Sequence, residues 1–252
     1  MSLNNKLCLL GLFSVISIIG VFLLPNIPQQ QSYHQFADRR SLWEIPNFCN
    51  VVSNLPFIFM GMVGLTEVWK STAPPAIRVM YILLFIGVML TGLGSAYYHW
   101  NPNNATLVWD RIPMTIVFMS LLSATVAELA SRRIAALLLW PMLALGIGSV
   151  LWWHHTETLG RGDLRPYILV QFYPAVVVPL LLWLFYEPGN KPVIRCLVWV
   201  VVWYAISKIF EQLDAPVYHF LAISGHTLKH LAAAMSTWYF VLIFRLRHRT
   251  GR

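Results

Sequence analysis

The chain has 252 residues, of which 58% are hydrophobic and only 11% charged, and its mean hydropathy is +0.62. Soluble domains are about a quarter charged, so this balance excludes an ordinary soluble globule and points to a membrane protein of several spans. The formal charge of +8 collects at the ends of apolar runs, which is a topological signal and gives no support to a nucleic-acid partner.

Apolar runs long enough to cross a bilayer fall near 6–24, 48–68, 79–98, 110–130, 134–153, 167–186, 196–212 and 219–244. Backbone groups in hydrocarbon must be satisfied within the segment, and these runs lack the alternation of a β-barrel. The expected fold is therefore all-α, a polytopic transmembrane bundle. The first run also suits a signal peptide, with Lys6 as its basic flank. Because Pro25-Asn26-Ile27-Pro28 follows it and no small-x-small cleavage site is evident, a retained helix is expected.

The connection 25–47 is the longest, polar, and contains Asp38, Arg39, Arg40, Trp43 and Glu44. It is expected to cap one mouth of the bundle. With eight spans the connections alternate sides, and the basic residues divide unevenly between them. One side takes Lys6, Lys70, Arg78, Arg132, Arg133, Lys191, Arg195 and the tail Arg245, Arg247, Arg249 and Arg252. The other takes Arg39, Arg40, Arg161 and Arg165. The positive-inside rule then places both termini in the cytoplasm, and the basic tail 246–252 suits contact with anionic headgroups. Cys8, Cys49 and Cys196 have no CxxC spacing and read as small apolar residues.

Five polar residues stand within or at the ends of the apolar runs: Ser95 and His99 in SAYYH, Asp110 in LVWD, and His226 and His230 in GHTLKH. Groups so costly to desolvate are kept in lipid only when something polar engages them. The alternating topology brings all five to the same outer side. His226 and His230 lie one turn apart on one helical face, as do Ser95 and His99. Three imidazoles from two helices suit a catalytic zinc, which takes three protein ligands and keeps the fourth position for water. Two other readings fit the same pattern: structural histidines bonded to neighbouring helices, and ligands of haem or parts of a transport path. His154 and His155, in an outer loop with Glu157, read as solvated, and Lys229 as a residue that snorkels or pairs with an acid. Lys208 and Glu211, three apart, either neutralise each other or line a substrate entrance.

SNLPF, SAYYHWNPNNATLVWD and SGHTLKHL together resemble the alkaline ceramidase family, part of a wider superfamily of seven-helix membrane hydrolases and receptors of the progestin and adipoQ type. The resemblance runs from about Asn47 to Arg245. It implies a seven-helix core, 48–245, preceded by one additional N-terminal helix within 1–30 and a loop at 31–47 outside the cytoplasm. It also implies that His99, His226 and His230 hold zinc, and that Ser95 and Asp110 occupy the family's other two polar positions. Animal members carry an acidic calcium-binding loop before the core. Here that loop offers Asp38, Glu44, Asn47 and Asn50 without the dense acidic pattern, and its WEIPNFCNVVSN run is closer to bacterial members, so calcium is left open.

The chemistry implied is hydrolysis of the amide of a ceramide-like N-acyl membrane lipid. Asp110 would move the proton and Ser95 would bond the oxyanion or hold a ligand, roles that could be exchanged, and Asp110 could instead orient a histidine. A receptor that binds metal without turnover is the alternative from another class.

Overall fold

The computed structural model describes residues 1–248. The last residues of the basic tail, 249–252, lie outside the described residues. Ten α-helices follow one another: α1 Leu3–Phe22, α2 Phe48–Val52, α3 Leu55–Trp69, α4 Pro75–Trp100, α5 Asn104–Leu129, α6 Arg132–Thr158, α7 Arg165–Leu184, α8 Lys191–Gln212, α9 Asp214–Leu221 and α10 Gly225–His248. No strand occurs among the described residues.

Seven helical segments are long and apolar enough to cross a membrane, α1 among them. The protein is thus a multi-pass, all-α membrane protein. The eighth long helix, α10, runs 24 residues, about 36 Å at 1.5 Å per residue. It is less apolar than the others because His226, Lys229 and His230 occupy its first turns, and it is packed between α8 and α3. The helices α3, α4, α5, α7, α8 and α10 close into a ring, with α6 against α5 and α7, and α1 packed on α7.

Several boundaries differ from the sequence expectation, each for a local reason. The run 48–68 is broken at Ser53-Asn54, just before Pro56, whose missing N–H suits only the first turn of a helix. The run starting at 110 begins six residues earlier, at Asn104, because Asn103 and Thr106 form a reciprocal capping box. The expected span from 219 divides in two. The short α9 ends at Ala222, which is left-handed with φ 54°. The helix restarts where Ser224 Oγ accepts the Thr227 N–H at 3.0 Å. Gly225 is required there, since a β-carbon would overlap the Phe210 carbonyl oxygen. His154, His155 and Glu157 belong to the last turns of α6 rather than to a loop, and His155 alone of the three is exposed.

Chain direction puts the C-termini of α4, α6 and α8 and the N-termini of α5, α7 and α10 at one end of the bundle, together with the 25–47 connection. Arg165, at the start of α7, holds that connection by donating to the carbonyls of Phe22 and Leu24. Asp163 clasps Arg165 through both oxygens, at 2.8 and 2.9 Å, and these bonds keep its carboxyl below the usual carboxylate range.

Candidate metal centre

His99, in the last turn of α4, and His226 and His230, in the first two turns of α10, form one buried cluster in which a ligating atom from each lies within 4.8 Å of the others. Their exposures are 1, 5 and 3%. The Nε2 atoms of His99 and His230 are 3.2 Å apart. Two tetrahedral nitrogen ligands at 2.0–2.1 Å from zinc are about 3.3 Å from each other, so this pair is already at ligand spacing.

The tautomer of His230 follows from its neighbours. Ser53 Oγ spends its one hydrogen on the Asn50 carbonyl at 3.0 Å, so it accepts from His230 Nδ1 at 2.8 Å. That leaves the Nε2 lone pair facing His99. Ser53 reaches His230 because the α2–α3 break turns it inward. Asn50 supports the same region, its Oδ1 accepting from Ser224 Oγ at 3.1 Å and Thr227 Oγ1 at 2.8 Å. His99 Nδ1 is buried and has no hydrogen-bond partner. By contrast His34, also part-buried at this end, has both ring nitrogens bonded, to Tyr98 and Asn104, each at 2.9 Å.

Asp110 on α5 and Ser95 on α4 are 6% and 3% exposed and lie close enough to interact. Gly94 makes this possible. A methyl group there would overlap the Trp109 carbonyl oxygen, so any larger residue would push α4 away from α5 and separate Ser95 from Asp110. All five residues singled out in the sequence therefore gather at one end. His226 and Asp110 line the same cavity of about 520 Å³.

Other residues complete the site. Phe36 covers the cluster, its ring 4.6 Å from that of His99 and 4.8 Å from that of His226. Asp214 joins the cover to the ligand helix, accepting from Ala37 N and from His226 N, each at 2.9 Å. Lys229 pairs with Glu211 at 2.6 Å, and Glu211 also pairs with Lys208. The same three side chains line the cavity, so the lysine–glutamate pair both neutralises itself and forms part of the wall. Of the loop residues weighed for calcium, Asp38 is clasped by Arg40, Asn47 donates to the His99 carbonyl at 2.9 Å, and Asn50 is bonded as above. Glu44 is exposed.

A family model described as Ceramidase matches residues 42–250. The chain belongs to the ceramidase family. Membership implies amide hydrolysis and a ceramide-type lipid substrate, and the buried histidine trio of this ceramidase could hold a metal ion. Residues 1–41, with α1, Gln29 and Phe36, precede the matched region. No curated protein and no solved structure matches the chain.

Proposed function

We propose that the protein is a zinc-dependent integral-membrane amide hydrolase that cleaves the N-acyl bond of ceramide-type lipids to a sphingoid base and a free fatty acid. The observation that carries this reading is three buried imidazoles whose ligating atoms lie within 4.8 Å of one another, one pair already at 3.2 Å, beside a cavity that Asp110 also lines. An all-imidazole donor set suits zinc, and hydrolysis needs no redox metal. When bound by His99, His226 and His230, zinc supplies Lewis acidity that polarises the scissile carbonyl and acidifies the attacking water.

The chain's own side chains do the rest. Asp110 takes the proton from the water whose oxygen adds to the carbonyl carbon. It delivers that proton to the amide nitrogen as the C–N bond breaks, so water and amide become acid and amine. Ser95 orients the carboxylate, and its hydroxyl is free to turn to the oxyanion as charge develops. Ser53 holds His230 in the tautomer that presents Nε2. Phe36 keeps bulk water from the cluster.

A two-chain lipid suits the spaces present. The 520 Å³ cavity shares Met114, Gln171, Tyr204 and Ala233 with a deeper, apolar cavity of about 110 Å³. It shares Ile168 and Phe172 with a groove of about 310 Å³ between α1 and α7. The groove suits most of one hydrocarbon chain, and the smaller cavity takes only the first carbons of a second. The basic excess at the opposite end supports cytoplasmic termini and a site near the outer surface. On this reading 48–245 is the hydrolase core, with an added membrane helix before it.

The test is fatty-acid release from a panel of N-acyl sphingoid lipids by the detergent-purified chain. Wild type should turn over at least one, and Asp110→Asn should lose about 10²–10⁴-fold while melting at a similar temperature. No release from any N-acyl lipid would overturn the reading.

A further inference from the structure

Among the described residues, Arg111 is the one cavity-lining Lys or Arg that forms no ion pair. It follows Asp110 on α5 and is 6% exposed. Its guanidinium is enclosed by rings instead, 4.2 Å from the centre of Trp153, 4.6 Å from Tyr167 and 5.7 Å from Tyr33. One arm, Nη2, donates to Gln29 Oε1 at 2.7 Å. The other, Nη1, is buried with no partner.

A buried guanidinium with an idle arm is costly, because ring faces offset only part of its lost hydration. Two carboxylates stand near, and neither pairs with it: Asp110 feels its charge without forming an ion pair, and Glu157 is engaged elsewhere. Glu157 Oε1 accepts from the Gln29 backbone N–H and from Trp153 Nε1 at 3.3 Å, fixing two of the residues that touch Arg111 but not Arg111 itself. Lys208 and Lys229, the other cavity cations, share Glu211. The cavity thus keeps one guanidinium without an ion-pair partner among the described residues, held in a rigid frame. Arg is the residue whose planar fork matches carboxylate and phosphate oxygens.

We propose that Arg111 is an oxyanion-binding residue of the substrate cavity, recognising a carboxylate or phosphate group carried by the lipid. This rests on the reading of the cavity as the lipid site, though not on turnover. Two sources present that chemistry: the carboxylate of the released fatty acid, and an acidic headgroup on the amine half of the substrate. Gln29 and Tyr33 lie before residue 42, where the family match begins, so part of the frame falls outside the matched region.

The test is binding of matched amphiphiles to the detergent-purified full chain, followed by tryptophan fluorescence: palmitate against methyl palmitate, and hexadecyl phosphate against hexadecanol. Measuring with chelator-treated wild type keeps a metal from supplying the preference. At least one charged member should bind roughly 10- to 100-fold more tightly than its neutral partner, the span of one charge-assisted hydrogen bond. Arg111→Gln should bring the pair to within about twofold, and Arg111→Lys, with charge but no fork, should fall between. Preference for the carboxylate alone identifies the fatty acid as the occupant, and preference for the phosphate identifies an acidic headgroup. Equal binding of charged and neutral members by wild type, or a preference that survives Arg111→Gln, would overturn the proposal. Should Arg111→Gln not fold, the Lys variant carries the test, and an unchanged preference there with the fork removed counts against it. A chain that binds as expected but hydrolyses nothing would refute the hydrolase reading and leave the oxyanion site standing.

Discussion

Both ends of the bundle bury charged and imidazole side chains, and they treat them in opposite ways. At the end away from the cavity Arg245 meets Glu67 at 2.8 Å, and Arg247 and His248 meet Glu128 at 3.3 and 2.7 Å, while Arg78 keeps a buried Nε without a hydrogen-bond partner. At the cavity end three imidazoles face one another with no carboxylate bonded to them. His99 keeps an unbonded ring nitrogen, and Arg111 an unbonded arm. Buried polar groups that are mutually satisfied belong to the packing, whereas groups left facing each other or an empty direction are placed for something that binds. Acids offset the paired cations at the far end, and on the proposed reading the cavity end, where the imidazoles meet no acid, is the working end.

Substitutions should separate the two ends. The largest effect belongs to the ligands: His230→Ala should lower activity by about a thousandfold or more, since the metal contributes several kcal/mol at 1.36 kcal/mol per decade. Assay of fatty-acid release beside bound metal checks this. Next is Ser53→Ala, which frees His230 to change tautomer and should cost about 10–100-fold in metal affinity or activity, read by zinc titration. Activity as high as wild type would show that the Ser53 bond is incidental. At the opposite end, Glu128→Gln should leave kcat/KM unchanged. It should lower stability by about 1–3 kcal/mol, because Arg247 and His248 lose a buried acceptor, as measured by thermal melting in detergent.

The smallest effect is at the loop over the cavity. Hydrogen bonds from Arg40 hold the Asp38 carboxyl below the usual carboxylate range. A carboxyl depressed in the folded state contributes stability above its unfolded value, about 3.9, and loses it as pH falls through the folded value. Melting should therefore be insensitive to this pair between about pH 5 and 8. Asp38→Asn should cost under about 1 kcal/mol at pH 7, since the Arg40 side chain is 55% exposed, and should flatten the acid limb of the melting profile.

The contrast between the ends also marks what could be read in advance. The long helices were legible because each apolar run exceeds a bilayer's thickness, and the five site residues because polar groups in such runs are rare. Alternating topology then sufficed to bring them together. The breaks at Ser53-Asn54 and Ala222 were not legible, being short irregular stretches in a background of apolar residues. With them went the roles of Ser53, Asn50 and Asp214, which depend on contacts between distant segments. SNLPF did carry a signal, since a serine and an asparagine stand there before a proline at the start of an apolar run. Arg111 was hidden because a basic residue near a helix end reads as an interfacial anchor. Only the observed start of α5 at Asn104 shows that it lies two turns inside the helix.

The most direct test of the central claim is metal content of the detergent-purified wild type and His226→Ala, measured beside fatty-acid release from N-acyl sphingoid lipids. About one zinc per chain is expected in wild type, and both zinc and release should be lost together in the variant. A wild-type chain that releases fatty acid without bound metal, or that keeps its zinc when His226 is removed, would contradict the account.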